Sequence, residues 1–186
     1  MKAAGLTLIE LLVTFAIAAV LISVALPAMR GLVAGNKSAA ALNQLVGAVT
    51  LARSAAITHH ATVTLCPGYE RTCLGRDQWH KGALLFLDRN ANGKLERADP
   101  VLSRLPSFSN GRVYWRSFGN RTYLQFIARG YTAWQNGNFL YCPANRADTE
   151  ARLIILNAQG RIRPARDRNG DGVVEDAAGK PVKCPV

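Results

Sequence analysis

Four arginines within the nine-residue run GRIRPARDR, Arg161, Arg163, Arg166 and Arg168, form the densest cluster of chemically useful side chains in the sequence. A guanidinium carries a fixed charge and a planar fork of donors, which suits phosphate oxygens. Side chains alternate along a strand, so Arg161 and Arg163 share one face while Ile162 turns to a core. Their guanidiniums then stand about 7 Å apart, the scale of successive phosphates on a nucleic-acid strand. Pro164 ends such a strand, and Arg166 and Arg168 extend the cluster into the next loop. The competing reading is an edge strand kept soluble by its charge.

Four cysteines, Cys66, Cys73, Cys142 and Cys184, are the second group with reactive chemistry. An even count outside the cytoplasm points to disulfides. Of the three connectivities, Cys66–Cys73 closes a short loop and Cys142–Cys184 pins the C-terminal tail, and this is the pairing expected. Zinc is the alternative, but no paired C-x-x-C is present, and His59, His60 and His80 do not stand at spacings that complete a tetrahedral set.

Asp88, Asn90, Asn92, Gly93, Glu96 and Asp99 occupy positions one, three, five, six, nine and twelve of a calcium-loop pattern. An EF-hand needs a bidentate Glu at the last position and helices on both sides, whereas Asp99 and strands stand here. The expectation is a polar hairpin in which Asn and Gly supply turn geometry, with no bound calcium. A second run, Asp167, Asn169, Asp171 and Gly172 with Glu175 and Asp176 nearby, has Ala178 at its twelfth position and fits calcium less well. Catalytic motifs are lacking: there is no G-x-S-x-G, H-E-x-x-H or P-loop, and Ser54 has no acid close in sequence. No enzyme is expected.

One carboxylate, Glu10, lies inside the apolar stretch from Leu6 to Leu26. That length matches the hydrocarbon thickness of a bilayer, and an ionised group within it costs a few kcal/mol unless paired, as about 20 apolar residues span a membrane. Glu10 therefore calls for a partner. Lys2 precedes the stretch, which sets the short N-terminus on the cytoplasmic side. A cleaved secretory signal is disfavoured because Gly5 precedes the apolar run, Glu10 interrupts it and no convincing A-x-A site precedes Pro27.

These residues must be placed by one long helix and a set of strands. Leu42, Leu45, Val46, Val49, Ala52 and Ala56 recur at three- and four-residue steps, so the helix turns amphipathic after Pro27 and ends near Thr58 to His60. Strands follow at ATVTLC, 83–87, 101–105, 112–116, 122–127, 138–142, 152–156 and 161–163, separated by Gly, Asn and Pro turns. The segments read as 1–5 leader, 6–27 transmembrane helix, 28–60 amphipathic continuation and 61–186 β-rich domain. The net charge is +11, and the chain from Pro100 to Ala147 holds no acid. There Arg104, Arg112, Arg116, Arg121, Arg129 and Arg146 alternate with aromatics that include Trp115, Tyr131, Trp134 and Phe139. A sheet with aromatic core faces and solvated arginines accounts for most of them, and the overall charge favours acidic partners.

The N-terminus resembles the class III signal of type IV pilins and type II secretion pseudopilins. That resemblance implies peptidase cleavage after Gly5, N-methylation of Leu6, where Phe is more usual, and assembly through Glu10. Trp79 and Gly82 before ALLFL, the loop DRNANGKLERAD, the runs FIARG and NFLYC, and GRIR then resemble the GspH/FimT family of minor pilins and pseudopilins. The resemblance implies an α+β pilin-like fold, a long helix packed on antiparallel sheets. It also implies storage in the bacterial inner membrane with the C-terminal domain in the periplasm, processing by prepilin peptidase, and entry with other pilins near a filament tip. In the FimT branch a GRxR motif at this place is implicated in DNA binding during natural transformation, and Gly160, Arg161 and Arg163 fill it. The GspH branch implies instead a structural subunit of the type II secretion pseudopilus.

Overall fold

The computed structural model describes residues 7–108 and 110–185. Gly5 and Leu6, the expected processing site, lie outside the described residues. Helix α1 runs Leu8–Thr58. At its start Thr7 and Glu10 form a capping box: the Glu10 carboxylate accepts from the Thr7 backbone N–H (3.0 Å) and hydroxyl (3.1 Å), and Glu10 N–H donates to Thr7 Oγ1 (3.3 Å). At its end His60 takes the left-handed conformation (φ 49°). His60 N–H then reaches the Ile57 carbonyl and Ala61 N–H the Ala56 carbonyl, both at 3.3 Å, the pairing of a Schellman cap. His fills a place that usually takes Gly, so the stop signal is weak in the sequence.

The chain forms two units that divide between Asn36 and Lys37. In the first, Leu8–Leu26 is a fully exposed apolar helical segment long enough to cross a membrane. The second is built around the rest of the helix. Ala41, Leu45, Ala48, Val49, Ala52 and Ala56 are buried at helical spacing and form one wall of the core. The second compact unit starts at Lys37 and takes in this helix face, which closes the core of the sheets.

Among the described residues nine strands follow: β1 (Val63–Tyr69), β2 (Thr72–Cys73), β3 (Ala83–Leu87), β4 (Val101–Leu105), β5 (Gly111–Ser117), β6 (Leu124–Phe126), β7 (Gly137–Pro143), β8 (Arg152–Leu156) and β9 (Ile162–Pro164). All pairings are antiparallel. The first sheet has the order β2-β1-β3-β4, with β6 also paired to β1; the second has the order β5-β7-β8-β9. The inner faces of both sheets meet the helix in a single core that contains Leu65, Leu85, Trp115, Phe126, Phe139 and Ile154. Trp115 stacks on Phe139 with 4.2 Å between centroids, and Trp79 meets the same ring edge-on at 4.8 Å. Trp79 comes from a 3-10 segment, Arg76–Lys81, which along with β2 has no periodic signal in the sequence.

Two disulfides tie down the periphery. Cys66 bonds Cys73 across the β1–β2 hairpin, and Cys142 of β7 bonds Cys184. The C-terminal tail is therefore not loose. Val174, Val182 and Cys184 pack with Leu140, Cys142 and Leu153 on the outer face of the second sheet.

Candidate nucleic-acid interface and filament anchor

The GRIR segment is split between a turn and an edge strand. Gly160 N–H donates to the Asn157 carbonyl (3.0 Å), Asn157 N–H to the Arg161 carbonyl (3.1 Å), and Arg161 N–H to Asn157 Oδ1 (2.8 Å), which closes the turn from β8 into β9. Gly160 has φ +75°, and a Cβ there would lie 2.6 Å from the Gly130 carbonyl oxygen. Only glycine meets both demands without strain. Arg53 of α1 donates to the Gly160 carbonyl (3.1 Å), so the turn is held between the helix and the loop after β6.

From that turn Arg161 and Arg163 emerge exposed, while Ile162 packs on the core. β9 is the free edge of its sheet. Arg163, Arg166 and Arg168 line one cleft of about 410 Å³ together with Pro164 and Glu175; Arg161 stands outside it, at the turn. Among the described residues none of these four guanidiniums has a hydrogen-bond or ion-pair partner. Two acids temper the loop end of the cluster. Glu175 is buried and accepts from Arg168 N–H (2.9 Å), and Asp167 accepts from Gly170 and Gly172 N–H (2.7 Å each). Residues 151–166 contain no acid, so Arg161 and Arg163 carry the less compensated charge.

Strand register adds residues that spacing alone does not reveal. Arg163 pairs with Ile155, Ile155 with Asn138, and Asn138 with Arg116, so Arg163 and Arg116 end one row across the outer face. Three strand spacings separate them, about 14 Å. The signal in the sequence is the alternation of Arg112 and Arg116 with the buried Val113 and Trp115. Arg112 and Arg146 line a second cleft with His80, whose imidazole burial, then the Arg112 charge, hold below its ordinary pKa.

The acid-rich loops work as structure. Asp88 is buried, and its carboxylate accepts from Thr64 Oγ1 (2.6 Å), Gly93 N–H (2.8 Å), Gln125 Nε2 (2.8 Å) and Asn92 N–H (3.1 Å). Glu96 accepts from the Asn90 and Asn92 side chains, and Asp99 from Glu96 N–H. Their oxygens serve loop donors, and among the described residues no three His, Cys, Asp or Glu are grouped to hold a metal ion.

At the anchor, the Glu10 carboxylate that the sequence leaves in need of a partner meets Thr7 of its own chain. Residues 1–26 match the prokaryotic N-terminal methylation motif. Residues 41–160 match the profile of the family described as type II transport protein GspH. The chain belongs to the GspH family. This GspH-family chain is similar in fold to two crystal structures of the type IV minor pilin FimU of Pseudomonas aeruginosa strain PAO1. One has a TM-score of 0.57 at 19% identity and covers 81% of this chain and 96% of FimU; the other has 0.52 at 20% identity and covers 68% and 91%. Among curated proteins none matches. Membership in the GspH family places the chain with minor pilins and pseudopilins, which are structural subunits without a cofactor rather than enzymes. The family match ends at Gly160, so it rests on residues other than the arginine cluster.

Proposed function

We propose that this chain is a FimT-like minor type IV pilin. It is stored in the inner membrane by residues 6–27 with its β-rich domain in the periplasm, is cleaved after Gly5 and methylated at Leu6 by prepilin peptidase, and enters a pilus near the tip. There it contributes sequence-independent DNA contact during uptake. The observation that carries the DNA reading is the set of guanidiniums at the sheet edge that have no partner among the described residues, with Arg161 and Arg163 in a stretch, 151–166, that holds no acid and Arg166 and Arg168 behind them. Fixed cations on a rigid edge can follow a phosphate backbone without reading bases. In the filament, Glu10 pairs with the terminal amine of an adjacent subunit, which removes an unpaired charge from the bilayer.

A second reading, a structural minor pseudopilin of type II secretion, is favoured by the description of the matching family. In that case the edge arginines only guard β9 against strand addition. Cells that carry Arg161→Ala/Arg163→Ala separate the two. The pilin reading expects filaments and secretion intact with DNA uptake lost. Normal uptake in that variant, together with loss of protein secretion on deletion of the whole chain, supports the pseudopilin instead.

A further inference from the structure

Trp134 is 82% exposed and takes φ +60°, a backbone conformation that a bulky side chain rarely adopts. Its neighbours are fixed on both sides. Ala133 N–H donates to the Gln125 carbonyl (3.2 Å), and Gln125 N–H donates to Gln135 Oε1 (2.6 Å) in a buried bond. Gln125 is itself held by the buried Asp88. The indole is thus projected into solvent by a loop whose base is rigid, and strain at an exposed aromatic is the kind of outlier from which function is argued.

The position of this loop decides what the indole meets. Thr132, two residues before Trp134, directs both its N–H (3.0 Å) and its hydroxyl (3.1 Å) to the Ala158 carbonyl. Ala158 belongs to the same closed turn that ends at Arg161. Gly130 of the loop touches Gly160 of the turn, which brings Arg129 and Arg161 to one surface. Tyr131, 47% exposed, lies between Arg129 and Trp134 in the sequence of this loop. Exposed aromatics among free guanidiniums combine a stacking surface for bases with cations for the backbone. In a duplex the base faces are already occupied, so an indole presented this way stacks on unpaired bases.

We infer that Trp134, assisted by Tyr131, is a base-stacking platform for single-stranded nucleic acid, continuous with the phosphate contact at Arg161. This rests on the proposed DNA contact and adds a preference for strand state. Trp79 and Trp115 are each 1% exposed, so Trp134 is the solvent-facing indole and reports on its own occupancy. The full chain in phosphatidylcholine nanodiscs is titrated with an oligo-dT of about 12 nucleotides, within the usual site size, and with a duplex of equal length.

Single strand should quench the tryptophan fluorescence. Trp134→Ala should weaken oligo-dT binding about 5- to 150-fold while duplex affinity stays unchanged, and Trp134→Phe should retain most of the binding. Near-ultraviolet circular dichroism checks that each variant keeps its core. The inference is overturned if folded Trp134→Ala binds oligo-dT like the parent, or if that variant loses filament incorporation with unchanged oligo-dT affinity, which would make Trp134 a subunit contact. If Arg161→Ala/Arg163→Ala also binds both DNA forms like the parent, the arginine reading fails as well. A parent chain that binds neither form refutes both.

Discussion

Glu10 has two possible duties, and a single atom separates them. Its carboxylate caps α1 through Thr7, and the proposed filament contact needs its charge. Glutamine also serves at this place in a capping box, so Glu10→Gln keeps the cap and removes the charge. The variant should be helical and membrane-inserted yet absent from filaments, as judged by immunoblot of sheared filaments; equal incorporation would leave capping as the full role of Glu10. His80 makes a prediction about pH. Burial and Arg112 depress its folded pKa below 6.5, so between those values the unfolded chain holds the proton more readily than the folded one. Stability should therefore rise with pH up to about 6.5 and be lost as pH falls through the folded value. Urea midpoints across this window should slope for the parent and flatten for His80→Gln.

At the scale of elements, the turn at Gly160 positions the arginines without carrying charge. Gly160→Ala forces a side chain into φ +75° and against the Gly130 carbonyl, at a cost of about 1–3 kcal/mol. Thermal unfolding should show that loss, and DNA affinity should fall although every cation remains. The Cys142–Cys184 bridge closes a separation of 42 residues, and Cys142→Ala/Cys184→Ala should destabilise the domain by about 2–4 kcal/mol. Limited proteolysis should then cut within 165–185 first, because Val174 and Val182 lose their hold on the sheet. These elements differ in how plainly the sequence announces them. The strands at 83–87, 101–105 and 152–156 match their runs residue for residue, since each is a short apolar or alternating segment between turn signals. The two disulfides are the expected pairs. The segment Arg76–Lys81 was not legible, because its one buried residue, Trp79, owes its place to Trp115 and Phe139 far along the chain. Trp134 departs from its expected place on a core face for a related reason: an aromatic in an arginine-rich β region reads as core, whereas here it is exposed on a left-handed backbone. The alignment of Arg116 with Arg163 depends on register through two intervening strands, which composition does not encode.

The whole molecule joins an exposed apolar helix segment to a basic domain, each legible in the composition and each necessary to the account. Processing should be visible in the intact protein as an N-methylated Leu6 terminus. The central claim is that this domain holds DNA through phosphate contacts made by Arg161 and Arg163, with Arg166 and Arg168 assisting. Each neutralised duplex phosphate contributes about −0.9 to the slope of log affinity against log salt, so four contacts give about −3.6. Arg76, which is bonded to Asn120 and lies apart from the cluster in the sequence, provides the control. The decisive measurement is a duplex-binding titration of the full chain in neutral nanodiscs across a salt series. The account expects a slope near −3.6 for the parent and for Arg76→Ala, and about −1.8 for Arg161→Ala/Arg163→Ala, with similar loss on unrelated DNA sequences. A folded double variant that keeps the parent's affinity and slope would contradict it.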